Sequence, residues 1–231
     1  AEIEFIDYLD YNHACVSKVV HSINQAIVEK ITIDKQYYFS IAVFEKAKGT
    51  HVQKSDLTPG FYRMFGEKVG QLHRLTKTFK PQHKRIQWFD ENILDIGERA
   101  LDQEDYPILT MYINVVERIK QLPTNIHNYG LIHTDLHFGN MYFDQEKLTF
   151  FDFDDSSYKH FLSDIAIIIY YSFMFENASQ TEYNQKVKEF LSDFLIGYQK
   201  ENDFDLDFFV NINDFILLRS LVLHIVVIGS G

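Results

Sequence analysis

The sequence contains only one cysteine, Cys15, so the chain cannot form an internal disulfide bond. A chain without disulfides is typical of a reducing compartment, and we expect a cytoplasmic protein in which Cys15 packs in the core. Basic residues are also few, because 22 lysines and arginines stand against 33 acidic residues, for a formal net charge of -11. This charge opposes binding to a phosphate backbone, so we expect no nucleic-acid partner.

The chain also lacks an uninterrupted hydrophobic segment of membrane-spanning length. Its longest apolar run, residues 215–229, is interrupted by Arg219 and His224 and is shorter than the roughly 18 to 20 apolar residues that a span requires. We predict that this run forms a buried helix and expect no membrane partner. The first four residues, AEIE, are too acidic for a secretory signal. They include no initiator methionine and fall within an amphipathic helical pattern, so we expect further residues upstream.

Apolar residues are plentiful. They make up 46% of the chain, and aromatic residues alone make up 16%, which is sufficient for a packed globular core and argues against disorder. Residues 1–48 combine a short helical pattern with two strand patterns, which are joined by a polar turn at Asp34–Lys35. After residue 48 the pattern becomes mainly helical. The longest amphipathic segments lie at 58–79, 105–122 and 181–198.

We therefore predict an α+β fold in two parts. A partial N-terminal lobe, residues 1–48, contains a helix and a β-hairpin. A helical C-terminal lobe, residues 49–231, contains the candidate chemistry described next. The boundary falls in a polar stretch at residues 45–52, where the strand pattern gives way to the helical one.

Residues 133–140, with the sequence HTDLHFGN, fit the H-x-D-x-x-x-x-N pattern of a phosphotransferase catalytic loop. Phosphoryl transfer to a hydroxyl group needs a carboxylate that accepts the hydroxyl proton. It also needs an amide oxygen that holds a metal ion against the phosphates of ATP. A short loop can direct both groups into one cleft, so the pattern predicts Asp135 as the base and Asn140 as a metal ligand.

The residues that follow, 141–152, predict a β-hairpin with a polar turn at 144–146. Because a hairpin brings its two ends together, Asn140 and Asp152 should lie side by side. Two oxygen ligands at one point suit Mg²⁺, which prefers a few protein oxygens together with water and phosphate. The loop and the hairpin together predict a site for Mg²⁺ and ATP.

The stretches LIHTDLHFGNMYFD, LTFFDFDD and FLSDIA resemble the aminoglycoside phosphotransferase and choline kinase superfamily, whose members are small-molecule kinases with a protein-kinase-like fold. The chain most resembles the homoserine-kinase-type bacterial branch. The resemblance covers nearly the whole chain and includes a hinge at residues 44–48 and the helix with the sequence GEKVGQLHRL. It implies a two-lobed kinase-like fold and transfer of the γ-phosphoryl group of ATP to a hydroxyl of a small molecule.

The resemblance also implies roles for individual residues. Asp135 would be the catalytic base, and His133 would brace the catalytic loop rather than carry a proton. Asn140 and Asp152 would bind Mg²⁺. Asp164 would accept hydrogen bonds from the backbone of the catalytic loop, with a helix N-terminal cap as the alternative.

The family also suggests a nucleotide site. Phe44, Glu45 and Ala47 would present backbone groups to adenine. Glu2 occupies the position of the family's helix acid, which pairs with a strand lysine. This lysine and the glycine-rich loop are absent from the sequence, so we expect the chain to be an N-terminally incomplete form of a kinase. The metal motif is Asp-Phe-Asp rather than Asp-Phe-Gly, so Asp154 is a further metal ligand or a substrate contact.

Three alternatives stay open. The acceptor is expected to be an amino alcohol or an amino acid such as homoserine, with an aminoglycoside as the alternative, since a polycation suits an acidic chain. A metal-dependent phosphoesterase or nuclease could use the acids and the histidine at His133, Asp135, Asp152 and Asp154, although it would not need Asn140. An inactive kinase-like binding module would explain the missing ATP-binding elements but not the retained catalytic ones.

Other candidate residues have simpler interpretations. His73, His137 and His160 could be metal ligands, but histidines beside apolar residues more often pack and form hydrogen bonds. Trp88 could line a substrate pocket, although packing in the core or at its rim is the more common role of such a residue.

Overall fold

The computed structural model of the protein describes residues 1–34, 36–174 and 179–229. The helices are α1 (Glu2–Tyr11), α2 (Pro59–Thr76), α3 (Ile93–Ala100), α4 (Tyr106–Lys120), α5 (Phe161–Phe173), α6 (Gln180–Glu201) and α7 (Ile212–Gly229). The strands are β1 (Glu29–Thr32), β2 (Tyr38–Ile41), β3 (Thr50–His51), β4 (Tyr129–Ile132), β5 (Met141–Phe143), β6 (Leu148–Phe150) and β7 (Ser157–His160). This mixture confirms the predicted α+β class, and α2, α4 and α6 form where long helices were predicted.

The predicted N-terminal hairpin is the antiparallel pair of β1 and β2, in which Glu29 faces Ile41. Its turn begins at Asp34, whose carboxylate accepts hydrogen bonds from the backbone amides of Gln36 and Tyr37 at 2.7 and 3.0 Å. This is the local side-chain-to-backbone bonding that favours aspartate in turns. Lys35, the second residue of the predicted turn, lies outside the described residues.

Residues 15–17 connect the N-terminal segment to the hairpin of β5 and β6. The amide of Phe150 donates to the carbonyl of Cys15, and the amide of Ser17 donates to the carbonyl of Phe150. Cys15 is buried, as predicted. The ring of Phe5 in α1 packs against Phe153, just beyond the same hairpin. The first helix is thus anchored beside the predicted catalytic residues, and the division of the chain at residue 48 stays a prediction.

Helices α2 and α6 pack so closely that glycine is required where they meet. A β-carbon at Gly197 would lie 1.8 Å from the backbone oxygen of Arg63, and one at Gly66 would lie 1.9 Å from the backbone oxygen of Phe194. Thr58 caps the first turn of α2 by accepting a hydrogen bond from the amide of Phe61. The packing against α6 holds α2 in position.

The apolar run at 215–229 forms a helix, as predicted, but the prediction that this helix is buried holds for one face only. Phe215, Leu218, Leu221 and Ile225 are buried, whereas Val227 is 63% exposed. The run is part of a longer helical segment, 206–228, which by length and composition could cross a membrane and whose most apolar stretch of 18 residues is 22% buried. A core helix of a globular protein can pass the same test, and α7 packs against α3, α4 and α5. Trp88 is buried, in agreement with the packing role.

We predict that Gly197→Ala lowers the free energy of unfolding by about 1 to 3 kcal/mol, because the added methyl group meets backbone that cannot shift freely. Thermal unfolding would measure this loss. Gly60→Ala is the matched control. The nearest atom to a β-carbon at Gly60 is 3.8 Å away, so this helix substitution should leave stability unchanged or raise it by up to about 1 kcal/mol. Equal stability of the two variants would contradict the close packing.

We also predict that stability falls between pH 6.5 and 4 because of His160. The ring is buried between Phe208 and Phe215, and burial lowers the pKa of His160 to about 4, with partial opposition from the carbonyl of Pro123. The unfolded chain therefore binds a proton that the folded chain excludes, which costs about 3 kcal/mol over this range. Urea unfolding at pH 7 and pH 4 should show a smaller difference in His160→Phe. An unchanged difference would contradict this assignment.

Candidate active site

Strand β4 leads into the catalytic loop, which bends sharply after Ile132. Thr134 has a φ of +67°, a left-handed conformation that is unfavourable for a β-branched residue. Its amide donates to Asp164 at 2.8 Å, and its hydroxyl donates to the carbonyl of Asp155 at 2.6 Å. These bonds hold the strained turn that directs Asp135 away from the core.

Asp164 is fully buried in the first turn of α5. Its carboxylate accepts hydrogen bonds from the backbone amides of His133 and Thr134, at 3.2 and 2.8 Å. A third donor is the ring of His73 in α2, whose Nε2 lies 3.0 Å from Oδ2. Three donors compensate for burying a charge that would otherwise be very costly. This geometry matches the role that the family resemblance implies, and it differs from a simple helix cap.

The network continues from His73 into helix α6. The Nδ1 atom of His73 lies 2.7 Å from the hydroxyl of Tyr198, which also accepts a hydrogen bond from the amide of Asn202 at 2.8 Å. Burial raises the pKa of Tyr198, so its hydroxyl keeps its proton and donates to His73. Nε2 of His73 then carries the proton that bonds to Asp164. His73 is thus packed and hydrogen-bonded, and it links α2 and α6 to the catalytic loop.

His133 braces the catalytic loop through its ring. Nε2 lies 3.0 Å from the carbonyl oxygen of Phe151 and must therefore donate to it. Nδ1 accepts the backbone amide of Asp135 at 3.4 Å, and the ring packs against Phe153. Because backbone groups engage both ring nitrogens, His133 holds the catalytic loop against the hairpin of β5 and β6. This arrangement supports the bracing role rather than proton transfer.

Asp135 lies at the centre of a cluster of hydrogen-bond donors. Arg219 donates to Oδ1, the amide nitrogen of Asn140 donates to Oδ2 at 3.0 Å, and Nε2 of His137 lies 3.3 Å from Oδ2. Burial by itself raises the pKa of Asp135, but the hydrogen bond of His137 and the charge of Arg219 outweigh it. The pKa therefore lies below its ordinary value, and the carboxylate is ionised at neutral pH.

The hairpin brings together the two ends that carry the predicted metal ligands. In the pairing of β5 and β6, Met141 faces Phe150, and the amide of Phe151 donates to the carbonyl of Asn140 at 3.1 Å. Asp152 follows directly, with a φ of +67°. Burial raises the pKa of Asp152, and the nearby carboxylate of Asp154 raises it further. The backbone of Asn140 is thus hydrogen-bonded to the residue next to Asp152, as expected for the two ends of a hairpin.

The donor atoms at this end of the hairpin fit a hard divalent cation. Asp152 and Asp154 present two carboxylates that repel each other, a repulsion that a cation would relieve, and Asn140 adds an amide oxygen. Over residues 1–34, 36–174 and 179–229, no three side chains of histidine, cysteine, aspartate or glutamate form a metal-binding group. The oxygens of Asn140, Asp152 and Asp154 suit a Mg²⁺ ion that takes its remaining ligands from phosphate and water.

A cleft of about 420 Å³ lies beside Asp152 and is lined by every residue that was predicted to contact the nucleotide. Its walls include Glu2, Phe44, Glu45 and Ala47, and it reaches Asp152. The amide of Glu45 is engaged by the carbonyl of Lys18, and neighbouring residues of an extended strand direct their backbone groups to opposite edges. The backbone groups of Phe44 therefore point to the edge away from Lys18. Burial raises the pKa of Glu2, while the charge of Arg85 opposes this shift.

A second cleft, of about 440 Å³, is lined by Thr134 of the catalytic loop. Its polar walls also include Asp155 and Arg219, and its apolar wall comes from α3 and α7. Burial raises the pKa of Asp155, the negative charges of Asp154 and Asp135 raise it further, and the charge of Arg219 opposes this shift. Asp135 is linked to this cleft through Arg219, which donates to its carboxylate.

Sequence reasoning missed two residues around Asp135, namely Arg219 and Tyr171. The hydroxyl of Tyr171 lies 2.6 Å from the guanidinium of Arg219, and its ring packs against His137. One signal was available, because an arginine within an otherwise apolar helix needs a partner. That partner lies 84 positions away along the chain, so no local pattern could identify it.

Comparison with known proteins is consistent with this geometry. A model of the phosphotransferase enzyme family matches residues 1–205. Amicoumacin kinase of Bacillus subtilis (strain 168) is 31% identical over 226 residues, which cover 96% of this chain and 67% of that protein. The solved structure of an amicoumacin kinase in complex with AMP-PNP, Ca²⁺ and Ami has a TM-score of 0.91 at 30% identity, over 100% of this chain and 70% of that chain.

More distant structures show the fold alone. A microcompartment-associated aminopropanol kinase has a TM-score of 0.73 at 18% identity, over 100% of this chain and 73% of that chain. A spectinomycin phosphotransferase has a TM-score of 0.64 at 15% identity, over 97% of this chain and 70% of that chain. These likenesses confirm the two-lobed kinase-like fold.

We predict that Asp164→Ala unfolds at lower temperature and loses about 3 kcal/mol or more of stability. The change leaves two backbone amides and the His73 ring without their acceptor in the core. Chemical denaturation would measure the loss. Asp214→Ala is the control, since it removes a half-exposed ion pair with Arg118 and should cost at most about 1 kcal/mol. Similar losses in both variants would show that Asp164 does not support the loop.

Proposed function

Because the chain belongs to the phosphotransferase enzyme family, we propose that it phosphorylates a hydroxyl group of an amicoumacin-type antibiotic. The chain is an ATP-dependent small-molecule kinase, so the inactive binding module is not supported. One observation carries the choice of acceptor, namely the likeness to amicoumacin kinase over nearly the whole chain in both sequence and structure. Homoserine, the acceptor expected from the sequence, receives no specific support.

A carboxylate in the second cleft supports an acceptor that carries an amine. The negative charges of Asp154 and Asp135 raise the pKa of Asp155 while Arg219 opposes this shift, and an ammonium group could pair with the Asp155 carboxylate. Glu91 beside it is already neutralised by Lys159 at 3.1 Å. Helices α3 and α7 add an apolar wall that includes Ile93 and Val222. An amine joined to an apolar body would fit both parts, and an amino alcohol is the second candidate class.

We assign the base of the reaction to Asp135. Its carboxylate would accept the proton of the acceptor hydroxyl as the hydroxyl oxygen attacks the γ-phosphorus of ATP. The bond between that phosphorus and the bridging oxygen breaks, and ADP leaves. Mg²⁺, when bound, supplies positive charge that neutralises the phosphate oxygens. Asn140, Asp152 and Asp154 would hold it, while His133 and Asp164 keep the loop in position.

In the first cleft, the backbone groups of Phe44 and Ala47 would bind adenine, whereas the amide of Glu45 is engaged by Lys18. Phe44 adds an apolar surface for the base, and it lines the same cleft as Glu2 and Asp152. Glu2 would lie near the phosphates, in the field of Arg85, Asp152 and Asp154. ATP would then lie between residues 44–48 and the hairpin of β5 and β6.

We predict that Asp135→Asn lowers turnover by about 10² to 10⁴, the usual contribution of a general base, while Mg·ATP still binds. ADP release by the full-length protein would be measured with amicoumacin, aminopropanol, choline, spectinomycin, kanamycin and homoserine. Asp193→Asn is the control and should keep full activity, because Asp193 of α6 pairs with Arg63 of α2 and lines neither cleft.

Intact turnover in Asp135→Asn would show that this residue is not the base. Phosphorylation of homoserine but not of amicoumacin would overturn the proposed acceptor and leave the kinase activity standing. Phosphorylation of aminopropanol alone would favour the amino alcohol class.

A further inference from the structure

Arg219 lies in the middle of α7 with its side chain only 16% exposed. One terminal nitrogen, Nη2, donates to Oδ1 of Asp135 and also to the hydroxyl of Tyr171 at 2.6 Å. The guanidinium carbon is 5.1 Å from the centre of the Tyr171 ring. Both hydrogens of this nitrogen are therefore used, and the side chain has two anchors. Such a group is held in one orientation.

The remaining contacts of Asp135 occupy its other carboxylate oxygen. Nδ1 of His137 accepts the amide of Gly139, so the ring proton is on Nε2, which faces Oδ2 at 3.3 Å. The side-chain amide of Asn140 donates to the same oxygen. A carboxylate has about four acceptor positions, two on each oxygen. Oδ2 is thus saturated by two donors, whereas Oδ1 has one donor and retains one position.

The residues next to Asp135 connect it to the second cleft. Arg219, the donor to Oδ1, and Thr134, which precedes Asp135 in the chain, both line that cleft, whereas Asp152 lines the first cleft. We propose that Arg219 is a positioning residue that fixes the rotation of the Asp135 carboxylate, so that Oδ1 receives the acceptor hydroxyl. This inference rests on the proposed function, since it assumes that Asp135 accepts the proton. This role would account for the arginine within an otherwise apolar helix.

Arg219→Met tests this role, because methionine keeps much of the volume but cannot donate. With amicoumacin as acceptor, we expect kcat to fall by about 10 to 10², the effect of misplacing a reacting group. The KM for Mg·ATP should change by less than about twofold. Arg219→Lys should recover part of the loss, since an ammonium group can contact Oδ1 but cannot reproduce the planar geometry. The slow hydrolysis of ATP by water gives a second readout that needs no acceptor.

Arg118→Met is the matched control, since it removes another arginine that pairs with α7, at Asp214 on the outer surface. Its kcat should stay within about twofold of the unmodified enzyme. Equal kcat in Arg219→Met and Arg118→Met would overturn the proposal. If Arg219→Met does not fold, Tyr171→Phe replaces it, because this variant removes one anchor and keeps the ring. Unchanged kcat in Tyr171→Phe would then overturn the proposal.

Asp135→Asn, measured in parallel, separates the two hypotheses. Unchanged turnover in Asp135→Asn overturns the proposed base and, with it, the role of Arg219. A loss in Asp135→Asn together with normal turnover in Arg219→Met overturns only the role of Arg219. Losses in both, with partial recovery in Arg219→Lys and an unchanged KM for Mg·ATP, support the inference.

Discussion

The carboxylate of Asp164 accepts hydrogen bonds from two consecutive backbone amides of the catalytic loop and from the ring of His73. Most of the active site depends on this group. A buried charge is tolerated only when its donors are in place, so the loop, α2 and α5 must all be correctly folded before it is stable. Through Tyr198, the same network reaches α6. Its position explains why Thr134 can keep a left-handed backbone conformation that costs free energy.

Two clefts lie near the catalytic loop. The first is lined by residues 44–47 and by Asp152, and a divalent cation would allow a polyanion to bind beside these acidic residues. The second has an apolar wall from α3 and α7 and includes the carboxylate of Asp155, which could pair with an amine. Asp135, the proposed base, is hydrogen-bonded to Arg219, which lines the second cleft.

Asp135, the proposed base, is surrounded by residues from its own loop and from two distant helices. Asn140 lies within the same loop, Tyr171 comes from α5, and Arg219 comes from α7. Helix α7 therefore has two roles, because its buried face packs on the core while Arg219 contacts the carboxylate of Asp135. This contact explains why a charged residue interrupts the apolar run.

The elements whose geometry is local could be predicted from the order of the amino acids. The eight-residue spacing of the catalytic loop, the polar turn between β5 and β6 and the amphipathic pattern of α2 each depend on neighbouring residues, because hydrogen bonds within a turn or helix reach only a few positions. The hairpin pattern also indicated Asn140 and Asp152 as neighbours, since a hairpin joins its own ends. The folded protein was needed to show which donors surround Asp135, which face of α7 is buried and how His73 connects to Asp164. Those contacts join residues 84 and 91 positions apart, and their positions follow from the packing of whole helices rather than from any periodicity along the chain.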